Sequence, residues 1–422
     1  MGVLSKFMVS LPYHCYEVAH PWSETCSYAW LYVFLSCVRE SMKIYGILYL
    51  FAQLGLSRKV SLNAFWQTLQ STAQSTLFLS YNVFFFLFFI CVFRHSSDRF
   101  YVPQSSFVSG LFASFLAILV ERPERRQVLA LYMLNLLSEV LFNFLVTRKL
   151  APVLPYGDIL LFSAGLAGHS FILNDLSRKD PVSSGLKFLI GKNEFLATSP
   201  SRCRHGDSHI MYILRGFVKP FFIGYLGRGL ISTATSLPSV VSDPITLGTR
   251  LVKIFASETY FRQGLFLGGA VSTFRAVRCL LRNRGIDESV CRGIAGMLAG
   301  TWITISRNTS LTLYLFWKAA EVFYIKAMKE GYLPQVPFGA EIVYTISTAF
   351  LLFNSVMEPH NVRPSYLQFL NNITGTGLGR LNRHVVAMLG FNCTTFSHDY
   401  FPYNINLAKV HPKFIEQVVV WS

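Results

Sequence analysis

The chain has 422 residues, of which 52% are apolar and only 14% charged, with a formal net charge of +16. Soluble chains carry roughly 25% charged residues, and the 38 Phe and 20 Tyr found here exceed what soluble cores of this length bury, so a string of soluble domains is excluded. The basic excess is not a nucleic-acid footprint either, because it gathers at the ends of apolar segments (Arg94 and Arg99, Arg125 and Arg126, Arg148 and Lys149), where anionic lipid headgroups lie.

Residues 1–27 form a polar and aromatic preface holding His14, Cys15, His20 and Cys26. Their spacing matches none of the tight Cys-pair patterns of zinc modules. A disulfide between Cys15 and Cys26, or plain packing, is the expectation, with no metal. Residues 28–175 hold five apolar stretches, at 28–56, 65–93, 106–120, 127–147 and 158–174. The run from Leu77 to Phe93 contains no charge and nearly suffices to span hydrocarbon. Glu121-Arg122-Pro123 stops a helix, since Pro lacks a donor and the charges seek water. A basic linker occupies 176–209. Five further stretches follow within 210–357, at 210–235, 258–282, 289–306, 309–329 and 340–357. The remainder, 358–422, reads as an amphipathic tail with a turn at Arg363-Pro364 and does not span. The predicted fold is an all-α multi-pass membrane protein with eight to ten crossings.

The second half repeats the first. One constant offset aligns LYMLNLLSEVLF, starting at Leu131, with LYLFWKAAEVFY, starting at Leu313, and pairs Arg125 with Arg307 and Glu139 with Glu321. The same offset pairs Pro152, Pro155 and Gly157 of one connector with Pro334, Pro337 and Gly339 of the other. A second, slightly shorter register pairs Arg39, Lys43 and Tyr49 with Arg215, Lys219 and Tyr225. Duplication of this kind is a habit of membrane carriers and pores. Two homologous helical repeats, each of four to five hydrophobic helices, are therefore expected.

Glu139 and Glu321 occupy matching mid-helix positions, where an ionised carboxylate needs a partner or a water-lined cavity. Lys318, three residues before Glu321, shares its helix face. Arg39 or Lys43 is the partner expected for Glu139, and Arg215 and Lys219 are their counterparts in the second half. Two readings stand side by side: a midplane site for a solute, or ion pairs that hold helices in register. Gly264, Gly268, Gly293, Gly296 and Gly300 recur at helical spacing and predict smooth faces for close helix packing. No P-loop, G-x-G-x-x-G, G-x-S-x-G or H-E-x-x-H is present, so neither an enzyme nor a cofactor is expected.

Several blocks carry a family resemblance: YHCYEVAHPW from Tyr13, RESMKIYGILYLFA from Arg39, LVERPERR from Leu119, GKNEF from Gly191, the long run FRQGLFLGGAVSTFRAVRCLLRN from Phe261, and VRPSYLQFL from Val362. Over most of its length the chain resembles the transmembrane protein 135 (peroxisomal membrane protein 52) family. The glycine-rich second half is also similar to the four-helix family that includes the channel subunits of the mitochondrial inner-membrane preprotein translocases. The first resemblance implies a multi-pass protein of peroxisomal and mitochondrial membranes. It implies a role in mitochondrial fission–fusion balance, through the dynamin-related fission GTPase, in peroxisome organisation and in lipid homeostasis. It brings no catalytic residues. The activity it leaves is that of a scaffold or regulator, with a carrier or pore for lipids or small metabolites as the alternative.

Overall fold

The computed structural model describes residues 9–53, 62–172, 181–191, 208–241, 257–391, 393 and 407–419. Strand β1 (Ser10–Leu11) and helix α1 (Cys15–Val18) precede the long helices α2 (Cys26–Ala52) and α3 (Leu62–Ser97). Strand β2 (Phe100–Tyr101) pairs antiparallel with β1. Then come α4 (Ser109–Val120), α5 (Pro123–Thr147), α6 (Gly157–Ile172), the short α7 (Pro181–Ile190), α8 (His209–Val241), α9 (Glu258–Asn283), α10 (Glu288–Gly300), α11 (Thr309–Lys329) and α12 (Gly339–Met357). The chain ends with α13 (Pro364–Ile373) and α14 (Arg383–Ala387), followed by short turns. Most of the basic linker, with Cys203, lies outside the described residues.

The starts and stops follow local chemistry. Pro123 opens α5, where its missing N–H costs nothing. Asp287 caps α10 by accepting from the Ser289 and Val290 amides, and Asn308 caps α11 through the Leu311 amide. The two proline connectors share one backbone design. After α5, Leu150 donates to the Leu145 carbonyl and Lys149 to Val146; after α11, Tyr332 donates to Ala327 and Gly331 to Met328. Both are Schellman caps, with Lys149 (φ 58°) and Gly331 (φ 82°) in the left-handed position. Each connector then places a second left-handed residue, Tyr156 or Phe338, just before the next helix. All four positions correspond at the offset that pairs Glu139 with Glu321.

Each of the ten hydrophobic stretches holds a helix within its described residues. Among the described residues five helices, α3, α5, α8, α9 and α12, are long and apolar enough to cross a membrane, while α4 and α6 are apolar but shorter. α2 carries Arg39, Glu40 and Lys43 at its middle, and α10 has 13 residues, about 20 Å at 1.5 Å per residue.

The chain divides into two compact units, Met1–Pro152 with Val336–Ser422, and Val153–Gln335. These are not the two sequence halves, because the boundaries fall inside the proline connectors. In the first unit α2 packs on α3, α3 on α4, and α12 covers both α4 and α5. In the second, α8 packs on α9, α9 on α10, and α6 covers both α10 and α11. The order of packing is the same, but the fifth helix of each half belongs to the other half's unit. Burial follows the repeat. Phe162, Ser163, Gly165 and Leu166 of α6 are buried, as are Tyr344, Thr345, Ser347 and Thr348 of α12.

Small residues make these seats. A Cβ added to Gly110 of α4 would lie 3.0 Å from the Ala349 Cα of α12, and one on Gly296 of α10 would lie 3.0 Å from the Ala167 Cα of α6. Ala167 and Ala349 are themselves equivalent, which sets α10 one helical turn out of register with α4. Gly300 presses on the Ser163 backbone, and Gly264 and Gly268 of α9 press on Phe221 and Phe217 of α8. Gly293 meets nothing nearer than the Phe171 side chain at 3.5 Å. Gly296→Ala and Gly300→Ala should therefore each destabilise by about 1–3 kcal/mol through overpacking, while Gly293→Ala leaves stability unchanged. Thermal unfolding of the detergent-solubilised protein, followed by loss of the monodisperse peak, distinguishes them.

Candidate functional site: ion-paired helices beside an apolar cavity

α5 meets α12 and the segment after it through three arginine–glutamate pairs. Arg126 at the start of α5 holds Glu341 in the first turn of α12 at 2.9 Å, where an acid also suits the helix N-terminus. Arg148 at its end grips Glu358 with two bonds, of 2.6 and 3.0 Å, and lies over the Phe144 ring. Between them Glu139 accepts from Arg363, from Nε at 2.7 Å and also from Nη2. From Arg126 to Arg148 the helix rises about 33 Å, close to the thickness of hydrocarbon. The outer pairs thus sit at the two ends of a span, with Glu139 inside it.

Arg363 is not where the sequence reading sought the partner of Glu139. Arg39 and Lys43 both bind Glu40 on their own exposed helix face, at 3.0 and 2.9 Å. The true partner lies 224 residues away in sequence, on the segment read as a non-spanning amphipathic tail. Pro364 opens α13, and Leu367, Leu370 and Ile373 are buried, so this helix packs into the first unit against α2. Arg215 and Lys219 are exposed on α8, and Lys219 lies over the Phe188 ring of α7.

In the second unit Lys318 binds Glu321 at 2.6 Å, as their spacing predicts. Arg307 at the start of α11 approaches Asp158 in the first turn of α6 at 3.8 Å, echoing Arg126 and Glu341. Glu139 and Glu321 therefore sit on equivalent helices but are neutralised differently, one across elements and one along its own helix.

A cavity of about 400 Å³ opens beside the Glu139 pair, between α3, α5, α12 and α13. Its walls include Phe78, Val83, Leu136, Leu352 and Phe369, and Arg363 is the one charged residue among those lining it. Asn82 donates to the Tyr344 hydroxyl at 2.9 Å within the wall. Glu139 neutralises that charge, so the lining is apolar apart from hydroxyl and amide groups such as those of Asn82, Thr348 and Ser365. Among the described residues, no hydroxyl–imidazole–carboxylate set lines it.

Cys15 and Cys26 are not bonded to one another; both are free thiols. They converge with His20 and with Cys91 of α3, a residue the sequence reading left among buried thiols.

Residues 12–146 match the family model described as the N-terminal cysteine-rich region of Transmembrane protein 135. That match covers about a third of the chain and ends before the glycine-rich second half, whose expected likeness to translocase channels it does not show. No solved structure matches the chain.

Charge removal tests whether the Glu139 pair is structural. Glu139→Gln and Arg363→Gln should each cost about 2 kcal/mol, because each leaves a half-buried charge without its partner. The double variant should cost less than their sum, by about 1–3 kcal/mol. A double-mutant cycle on thermal or denaturant unfolding reads this coupling; additive losses would contradict it.

Proposed function

We propose that the chain, whose residues 12–146 match the cysteine-rich region of Transmembrane protein 135, is a member of that family and a non-enzymatic regulator embedded in peroxisomal and mitochondrial membranes. In this reading it acts on mitochondrial fission–fusion balance and peroxisome organisation, with the dynamin-related fission GTPase as soluble partner. Lipid in the cavity of the first unit links that role to lipid homeostasis.

The observation that carries the reading is the cavity between α3, α5, α12 and α13, apolar on its walls and closed at one side by a segment tied down through Arg363. A lipid filling it would support the packing of α13, so membrane composition would set how firmly that segment stays docked. Occupancy stabilises a protein by mass action, which gives a lipid-dependent output without any reaction. The carrier alternative finds less support, because Glu139 and Glu321 both stand in ion pairs.

Photo-crosslinking tests this. In native membranes a diazirine-bearing fatty acid or sterol should label peptides from α3, α12 and α13. Filling the cavity with Leu352→Trp or Val83→Phe should reduce labelling at least fivefold while leaving folding intact. Labelling spread over outer helix faces and insensitive to both substitutions would rule the lipid site out.

A further inference from the structure

The preface folds back against the end of α3 and is held there by many polar contacts. Arg94 donates to the Tyr13 carbonyl at 2.9 Å and lies 2.8 Å from His14 Nδ1. Asn382, from the C-terminal region, donates to the Glu17 carbonyl at 3.0 Å. Within this cap, Cys15 opens α1, Cys26 opens α2, Cys91 comes from α3, and His20 lies in the loop between α1 and α2. One ligand atom from each of the four lies within 4.8 Å of all the others. A tetrahedral zinc ion with Zn–S bonds of about 2.3 Å sets its ligands about 3.7 Å apart, so the group stands within roughly 1 Å of that geometry.

His20 supplies the second observation. It is fully buried. Its Nδ1 lies 2.8 Å from the Ser23 carbonyl, and a carbonyl can only accept, so the proton is on Nδ1. That leaves Nε2 unprotonated, buried and without a hydrogen-bond partner. An imidazole oriented through its far nitrogen, with the other nitrogen bare, is the arrangement metal-binding histidines adopt.

We propose that Cys15, His20, Cys26 and Cys91 form a structural zinc site that staples the N-terminal segment to α2 and α3. Three thiolates and one imidazole in a closed set select zinc: catalytic zinc keeps an open position, and iron–sulfur clusters take four cysteines in most proteins. A disulfide between Cys15 and Cys26 would leave Cys91 and the bare His20 nitrogen unexplained. Three thiolates on a divalent ion carry a net charge of −1. Arg94, one turn beyond Cys91, lines the same cavity of about 570 Å³ and offsets that charge, while Lys409 on its wall is paired with Glu24; the cavity provides access.

Zinc takes cysteine as the thiolate and histidine as the neutral imidazole. Binding zinc must therefore expel protons, and acid should release the ion. This site is independent of the lipid reading.

Full-length protein purified in detergent without chelator is expected to carry about one zinc per chain by elemental mass spectrometry. Cys26→Ser and Cys91→Ser should each lower that at least fivefold, while Cys279→Ser retains it. Cobalt exchanged into the wild-type protein should give thiolate-to-metal charge-transfer absorption and tetrahedral d–d bands, a readout that needs no variant to fold. Absence of zinc together with no cobalt–thiolate band, an iron–sulfur spectrum, or a Cys15–Cys26 disulfide in non-reducing peptide maps would each overturn the proposal.

Discussion

The architecture depends on close contacts between helix backbones at small side chains, two of which seat the fifth helices. Gly110 meets Ala349, and Gly296 meets Ala167. Lipid tails are as apolar as leucine, so burial alone gives little drive for helices to associate inside a membrane. Close approach supplies dispersion contacts instead, and it is available only where both surfaces lack bulk. In each unit this contact seats a fifth helix that arrives from the other half of the sequence. The proline connectors make the exchange stereochemically repeatable. Each closes its helix with the same cap, and each turns the chain with the same pair of left-handed residues.

Charge placement follows the packing. The acid in the first turn of each fifth helix, Asp158 or Glu341, finds an arginine at the start of the fourth helix, Arg307 or Arg126. Such pairs set register, because a one-turn slip would strand both partners in a poorly hydrated place. Where the units differ, the first carries structure with no counterpart among the described residues of the second: α13 folds back, brings Arg363 to Glu139, and closes the side of a cavity. Arg383, fully buried, donates to the carbonyls of Ser355 and Val356. It thereby terminates α12 and ties the C-terminal region to the same unit.

Much of this was legible in the sequence. Hydropathy located a helix in each of its ten stretches though not α1, α7, α13 or α14, the repeat predicted equivalent helices for Glu139 and Glu321, and three-residue spacing predicted the Lys318–Glu321 pair. Glycine spacing marked Gly264, Gly268, Gly296 and Gly300 as close contacts, although it could not separate them from Gly293, which faces a side chain with room to spare. What sequence could not supply was long-range assignment. Nothing local says that Arg363 turns inward, since an Arg-Pro turn after a span reads equally well as an exit to water. The Cys/His cluster escaped for the same reason: its fourth member, Cys91, stands two long helices along the chain from Cys26, inside an apolar run where a thiol reads as packing. The exchange of fifth helices is invisible to hydropathy, because swapped and unswapped bundles bury identical faces.

That exchange is the claim on which the account stands, and proximity in the membrane tests it directly. Cysteines introduced in pairs at Gly110 and Ala349, or at Gly110 and Ala167, would be oxidised in native membranes and mapped after proteolysis. The exchanged packing requires a cross-link between positions 110 and 349 and none between 110 and 167. A cross-link confined to 110 and 167 would show that each half keeps its own fifth helix, and would contradict the architecture described.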